Sequence, residues 1–180
     1  MAREKNTPND PERGERIVTA TMNLLREAGV ASVTARSVAA RAEVPVGSVS
    51  YYFDSVKGLL LQASRELLNQ RATQISEWDY EDSGAEGVLW RVAELMHHQI
   101  TEGHDLTVVS YELYLLGLRD PDFQEISQHT VDTLRQKLTE HFPAERAAHL
   151  AAAADGLQLH LLLTAEPVTP SMIFKTLKAA

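Results

Sequence analysis

Apolar residues recur every three or four positions along most of this 180-residue chain, the spacing of helices that each bury one face. Ile17, Ala20, Met22, Leu24, Leu25 and Ala28 form the first such stripe, and Gly29 ends it as a C-cap glycine does. Asp10-Pro11-Glu12 marks its start, with a capping acid, a proline at the first helical position and an acid in the first turn. The polar residues 1–10 before it read as a flexible arm. Thr34 is the next N-cap, and Val38, Ala39 and Ala42 supply the buried side of a second, short helix. Pro45 begins a third helix that ends near Phe53. Asp54 or Ser55 caps a fourth, longer one through Leu59, Leu60, Ala63, Leu67 and Leu68 to about Trp78.

The acidic, glycine-containing segment 79–87 reads as a loop. Helices over about 88–101 and 106–118 follow. Asp120-Pro121-Asp122 restarts the chain, and Phe123, Ile126, Thr130, Leu134, Leu138 and Phe142 mark one face of a long helix. Pro143 opens another, carrying Ala147, Leu150, Ala151, Ala154, Leu157, Leu161 and Leu162, which Glu166-Pro167 breaks. Residues 170–178 form a short last helix. No segment alternates as a strand would, so the fold class is all-α.

Composition narrows the functions. The chain has no cysteine, which excludes disulfides, thiolate metal sites and cysteine nucleophiles. The N-terminus has no apolar signal region and no apolar run is long enough to span a bilayer, so a cytoplasmic location and no membrane partner are expected. The net charge is −8, but residues 1–60 hold eight Lys or Arg against seven Asp or Glu, so the acidity lies in the other 120 residues. Any contact with DNA therefore belongs to the first third. Neither a nucleotide-binding glycine loop, nor G-x-S-x-G, nor H-E-x-x-H is present, and an enzyme is not expected.

Within that first third, residues 34–53 (TARSVAARAEVPVGSVSYYF) form a helix, a tight turn and a second helix. Ala39, Ala42 and Gly47 are small enough for two helices to cross closely, and Val38, Val44, Val49 and Phe53 supply a small core. That leaves Val46, Ser48, Ser50, Tyr51 and Tyr52 outward on the second helix, small or hydrogen-bonding groups suited to a DNA major groove. Three adjacent positions cannot all face one core, so Phe53 is assigned to packing and the tyrosines to the surface.

The segment from about Pro11 to Leu61 resembles the tetracycline-repressor (TetR) family of one-component transcriptional regulators. The resemblance rests on a helix ending in Ala-Gly, a T-x-R opening, V-A-x-x-A, V-x-x-G-[ST], Y-Y-F and a capped fourth helix, in that order. It implies an N-terminal three-helix DNA-binding domain with a helix-turn-helix (11–58, after the arm 1–10) and a C-terminal helical ligand-binding and dimerisation domain (59–180). Roles follow for matching positions. Thr34, with Ser37 in the same first turn, would bind phosphate at a helix N-terminus. Arg36 would reach a phosphate or a guanine edge. Val46, Ser48 and Ser50 would face DNA bases, with Pro45 also at the DNA, Tyr51 and Tyr52 would touch the backbone or a thymine methyl, and Lys57 a phosphate. The chain departs from the family at Glu43, where the turn usually has glycine, and at Val46 and Val56, where lysines are common. Lost phosphate contacts predict a shallow salt dependence, each removing roughly 0.9 from the slope.

For the acidic two-thirds, the resemblance implies a homodimer through a four-helix bundle, two helices from each subunit. The Ala-rich 147–154 and the Leu-rich 157–163 of the last long helices suit such an interface. Trp78, Trp90, Met96, His97, Tyr111, Glu112, Tyr114 and Phe123 are candidates for an apolar ligand pocket, with core packing the alternative for each. Glu112 needs either a basic ligand or a salt bridge to Arg91 or Arg119. Neighbouring His97 and His98 point about 100° apart on a helix, so neither metal nor cofactor is expected. The reading is a ligand-responsive repressor that binds a palindromic double-stranded operator as a homodimer and is released by a small-molecule effector. The alternative is a nucleoid or structural DNA-binding protein without an effector.

Overall fold

The computed structural model describes residues 12–78 and 84–180, with every side chain in those spans except that of Thr130. The arm 1–10, the Asp10-Pro11 start signal and residues 79–83 of the expected 79–87 loop lie outside the described residues. Nine α-helices and no strands occur among the described residues. They are α1 (Arg13–Ala28), α2 (Ala35–Arg41), α3 (Val46–Tyr52), α4 (Val56–Glu77), α5 (Gly84–Ile100), α6 (His104–Gly117), α7 (Pro121–Thr139), α8 (Ala144–Leu163) and α9 (Pro170–Ala179), with a 3-10 turn at Val30–Ser32.

Local chemistry explains most boundaries. Thr34, Ser55, Asp120 and Thr169 each accept a backbone N–H at the start of a helix, satisfying donors that the helix itself leaves unpaired. Gly29 ends α1 at φ 71°, a conformation that costs a side-chain-bearing residue dearly. One expectation fails: residues 84–87 belong to α5, not to a loop. Glu86 lies in that first turn, where its charge suits the helix dipole. It also accepts a 2.6 Å bond from Lys178 of α9, which packs along α5.

The buried side chains form two cores. The first joins α1, α2, α3 and the start of α4 to Val109 and Leu113 of α6 and to Phe123 and Ile126 of α7. The second joins Ile75 at the far end of α4 to α5, Leu138 of α7, α8 and α9. Fully burying a Leu, Ile or Phe contributes roughly 1.5–3 kcal/mol, so Leu113 and Phe123 tie the N-terminal helices firmly to the rest. The 22-residue α4 spans about 33 Å at 1.5 Å per residue. Leu59, Ala63 and Leu67 sit in the first core and Ile75 in the second, so one rigid helix runs between them.

Candidate functional sites: an exposed helix face and a buried cavity

The turn between α2 and α3 is held by short-range bonds. Thr34 and Ser37 form a reciprocal capping box. The Ser37 hydroxyl also lies 2.7 Å from the Ser32 carbonyl, so Ser37, expected at DNA, is committed within the chain. Glu43 sits at φ 55°, the left-handed turn conformation at which the family carries glycine. A residue with a side chain is held there at a cost of about 1 kcal/mol or more. The Val44 N–H donates to the Ala39 carbonyl at 3.0 Å and brings Pro45 to the start of α3.

On α3 the 100° step per residue divides the positions. Val46, Gly47, Ser50 and Tyr51 share the outer side. Val46 is 50% and Tyr51 78% exposed. Thr34, Arg36 and Pro45 are exposed beside them. Two expectations are corrected by the same geometry. Ser48 lies opposite Val46 and is only 8% exposed, next to buried Val49, so it cannot face bases as α3 is placed here. Gly47 is not a helix-crossing residue, since a side chain there would meet only open space. Tyr52 is half-buried, its ring edge-on to Tyr51 and close over Gly14 of α1. Lys57 is exposed, yet its ammonium lies 2.9 Å from Asp120 and 2.7 Å from Asp122, at the start of α7. Those hydrogen bonds raise the Lys57 pKa, and Lys57 in turn lowers that of Asp120.

A cavity of about 470 Å³ lies among α4, α5, α6, α7 and α8. Apolar walls come from Ile75, Val92, Leu95, Met96, Val131 and Leu134, and polar groups from Arg71, Gln99, Ser110, Tyr111, Tyr114, Asp155 and Gln158. Arg71, only 7% exposed, donates to Gln158 at 2.7 Å, and Gln158 donates to Gln99 at 2.7 Å. The Tyr111 hydroxyl lies 2.9 Å from an Asp155 carboxylate oxygen, and the Arg71 guanidinium stands 5.7 Å from the Tyr111 ring centre. Burial, then the Asp155 charge, raises the Tyr111 pKa, and burial lowers that of Arg71.

Of the residues singled out for a ligand, Met96, Tyr111 and Tyr114 line this cavity. Trp78, Trp90, His97, Glu112 and Phe123 do not. Trp78 packs on the second core and lies 5.6 Å from the His98 ring, Trp90 meets Phe174, and Phe123 is 2% exposed in the first core. Glu112 is exposed and accepts the Val30 N–H at 2.8 Å, so neither a ligand nor Arg91 or Arg119 answers its charge. A side chain at Gly29 would stand 2.6 Å from the Glu112 carboxylate oxygens. Arg71, Gln99, Asp155 and Gln158 were missed, because a polar residue on an otherwise apolar helix face carries no sign of the distant partner it meets. Among the described residues no group of three or more His, Asp or Glu is placed to hold a metal, and no helix is long and apolar enough to cross a membrane.

This arrangement, a helix-turn-helix on a cavity-bearing helical body, is matched by known proteins. Residues 17–63 match the family model of bacterial regulatory proteins of the tetR family, and residues 83–178 match that of the tetracyclin repressor-like C-terminal domain. The chain belongs to the TetR family. It is thus a helix-turn-helix, DNA-binding transcriptional regulator. A proposed transcriptional regulator of Streptomyces coelicolor A3(2) shares 31% identity and a TM-score of 0.82, over 94% of this chain and 98% of that one. The multidrug binding protein EbrR, solved with ethidium, shares 26% identity at a TM-score of 0.76, over 95% and 99% of the two chains. The HTH-type transcriptional regulator BetI 1 of Chromohalobacter salexigens is 29% identical over 167 residues, 83% of this chain and 78% of that protein.

Proposed function

We propose that the protein is a homodimeric repressor that binds a palindromic operator and leaves it when a small molecule fills the cavity. Residues 11–58 act as the reading head and 59–180 as the sensing body, in the cytoplasm. Arg36, Val46, Ser50 and Tyr51 meet the bases and sugar-phosphate edges, with Thr34 placing a phosphate at the start of α2. Two copies join through the outward side of α8, where Ala152, Gly156, Leu159 and Leu163 are exposed, with Met172 of α9 beside it. Pairing two short readers sets two half-sites about one DNA turn, roughly 34 Å, apart.

One observation carries the release step. Tyr111 and Glu112 are consecutive on α6, yet Tyr111 lines the cavity and Glu112 holds the backbone at Val30 that leads into α2. A ligand that shifts Tyr111 shifts Glu112 with it and moves the head, so a bound population with the wrong half-site spacing replaces the operator-competent one. Multidrug binding by EbrR supports a ligand role for the corresponding body.

The test uses an operator selected with the full-length dimer. Arg36→Ala and Tyr51→Ala each weaken binding by about 1–3 kcal/mol, the range of a base contact, with the fold retained by circular dichroism. Unchanged affinity in both variants removes this face as the reader.

A further inference from the structure

The wall of the cavity contains a buried positive charge, Arg71, which Asp155 and the Tyr111 ring stabilise only through space. Nε and Nη1 of Arg71 are sealed from solvent and have no hydrogen-bond partner. Of the cavity-lining residues described, Arg71 alone has a buried polar atom in that state. Its Nη2 is satisfied by a neutral amide, Gln158, and among the described residues no carboxylate makes a direct ion pair with it. The acids nearby are already engaged: Asp155 accepts from Tyr111, and Asp132 is paired with Arg135 at 2.7 Å. Gln99 and Gln158 answer one another. A buried guanidinium with open donors is expensive to maintain, and leaving such donors unpaired costs more than replacing them with an apolar group.

We propose that the effector is a small carboxylate, its acid group seated on Arg71 and its apolar body against Ile75, Val92 and Met96. The inference rests on the cavity being the effector site. A planar carboxylate matches the guanidinium geometry and makes two charge-assisted bonds at once. One negative charge neutralises Arg71, whereas a doubly charged phosphate would leave an excess beside Asp155 and Asp132. A cation would face Arg71 across a mostly apolar space and would meet only carboxylates already engaged by Arg135 and Tyr111. Arg71 stands on α4, the helix that carries Leu59 and Ala63 into the first core, so the charge being answered lies on an element continuous with the head.

The experiment compares three acids, octanoate, 4-phenylbutyrate and 1-naphthylacetate, each with its amide and its amine. Binding to the full-length protein is followed by calorimetry and thermal denaturation. At least one carboxylate binds about tenfold or more tightly than its own amide, and the amine binds weakest. Arg71→Met abolishes that preference, and without ligand it melts above the parent because an unpaired buried charge has gone. Arg71→Lys keeps the charge, loses the planar fork and retains only part of the preference. The proposal is overturned if no acid binds, if amides or amines bind as well as acids, if Arg71→Met keeps the preference, or if ligand-free Arg71→Met melts lower, which would make the arginine structural. An amine that bound and released operator DNA would overturn the carboxylate while leaving the ligand-responsive repressor standing.

Discussion

The reading head and the sensing body satisfy their polar groups in opposite ways. Around the helix-turn-helix the bonds are mostly local, apart from the ties of Val30 to Glu112 and of Lys57 to Asp120. Thr34 and Ser37 are three residues apart, Ser32 and Ser37 five, and the ion pair of Arg41 with Glu27 spans fourteen. Across the cavity, bonds join residues 44 to 87 apart, Tyr111 to Asp155, Gln99 to Gln158 and Arg71 to Gln158, while Asp132 and Arg135 pair within one turn of α7. Local networks fix the shape of the turn from its own residues. Long-range networks hold separate helices in register and change when one member is displaced, which suits a sensor.

The sharpest way to break this comparison is to ask whether the head stands alone. Phe123 comes from α7 yet fills the head's core. Phe123→Ala is expected to cost about 3–5 kcal/mol by the cavity it leaves. Chemical denaturation followed by both far-ultraviolet circular dichroism and tryptophan fluorescence should show one shifted transition. If the head unfolded separately from the body, local bonding would be its only support.

A smaller effect concerns Lys57, which the two regions share. Asp120→Asn with Asp122→Asn keeps the α7 cap, since asparagine caps as well as aspartate, and frees the lysine for phosphate. Operator binding should tighten, and its salt dependence should steepen by about 0.9 in slope. An unchanged slope would place Lys57 away from DNA. The same tie has a pH signature. Lys57 holds the Asp120 pKa below its ordinary value, so that contribution is present above about pH 3.9 and is lost as pH falls through the lower folded value. Lys57 has a raised pKa, so its share is present below about pH 10.4 and is lost only as pH climbs beyond that. Melting temperatures of parent and double variant should thus differ by a constant amount between these limits and converge in acid.

The smallest effect lies in the turn. Glu43→Gly relieves the left-handed backbone and should gain about 1 kcal/mol in urea denaturation. It also removes a negative charge near the DNA-reading side, so affinity should rise slightly. A loss of stability would show that the Glu43 side chain matters more than its backbone.

The same contrast explains what could be read before the structure. Caps such as Thr34, Ser55 and Asp120 depend on neighbours within three or four residues, so spacing reveals them, whereas the left-handed position at Glu43 was pointed to by the family resemblance. The segment beginning at Gly84 misled because its helix is supported by α9, almost a hundred residues away. Ser48 misled because residues adjacent in sequence lie on different sides of α3, and only the packing of Val49 fixes which side is inner. Glu112 was expected to meet a basic ligand or an arginine, but it is exposed. Its partner is a backbone N–H at Val30, and no side-chain pattern announces it. Arg71 and Gln158 carry no local mark at all, although they define the polar end of the cavity.

The central claim is that the exposed face of α3, paired across a dimer, reads a specific DNA sequence. Selection of binding sites from random double-stranded DNA by the full-length protein tests it most directly. The account predicts enrichment of an inverted repeat whose half-site centres lie about 10 base pairs or one helical turn apart. Retention of DNA with no enriched sequence would contradict it and point to a structural DNA-binding protein instead.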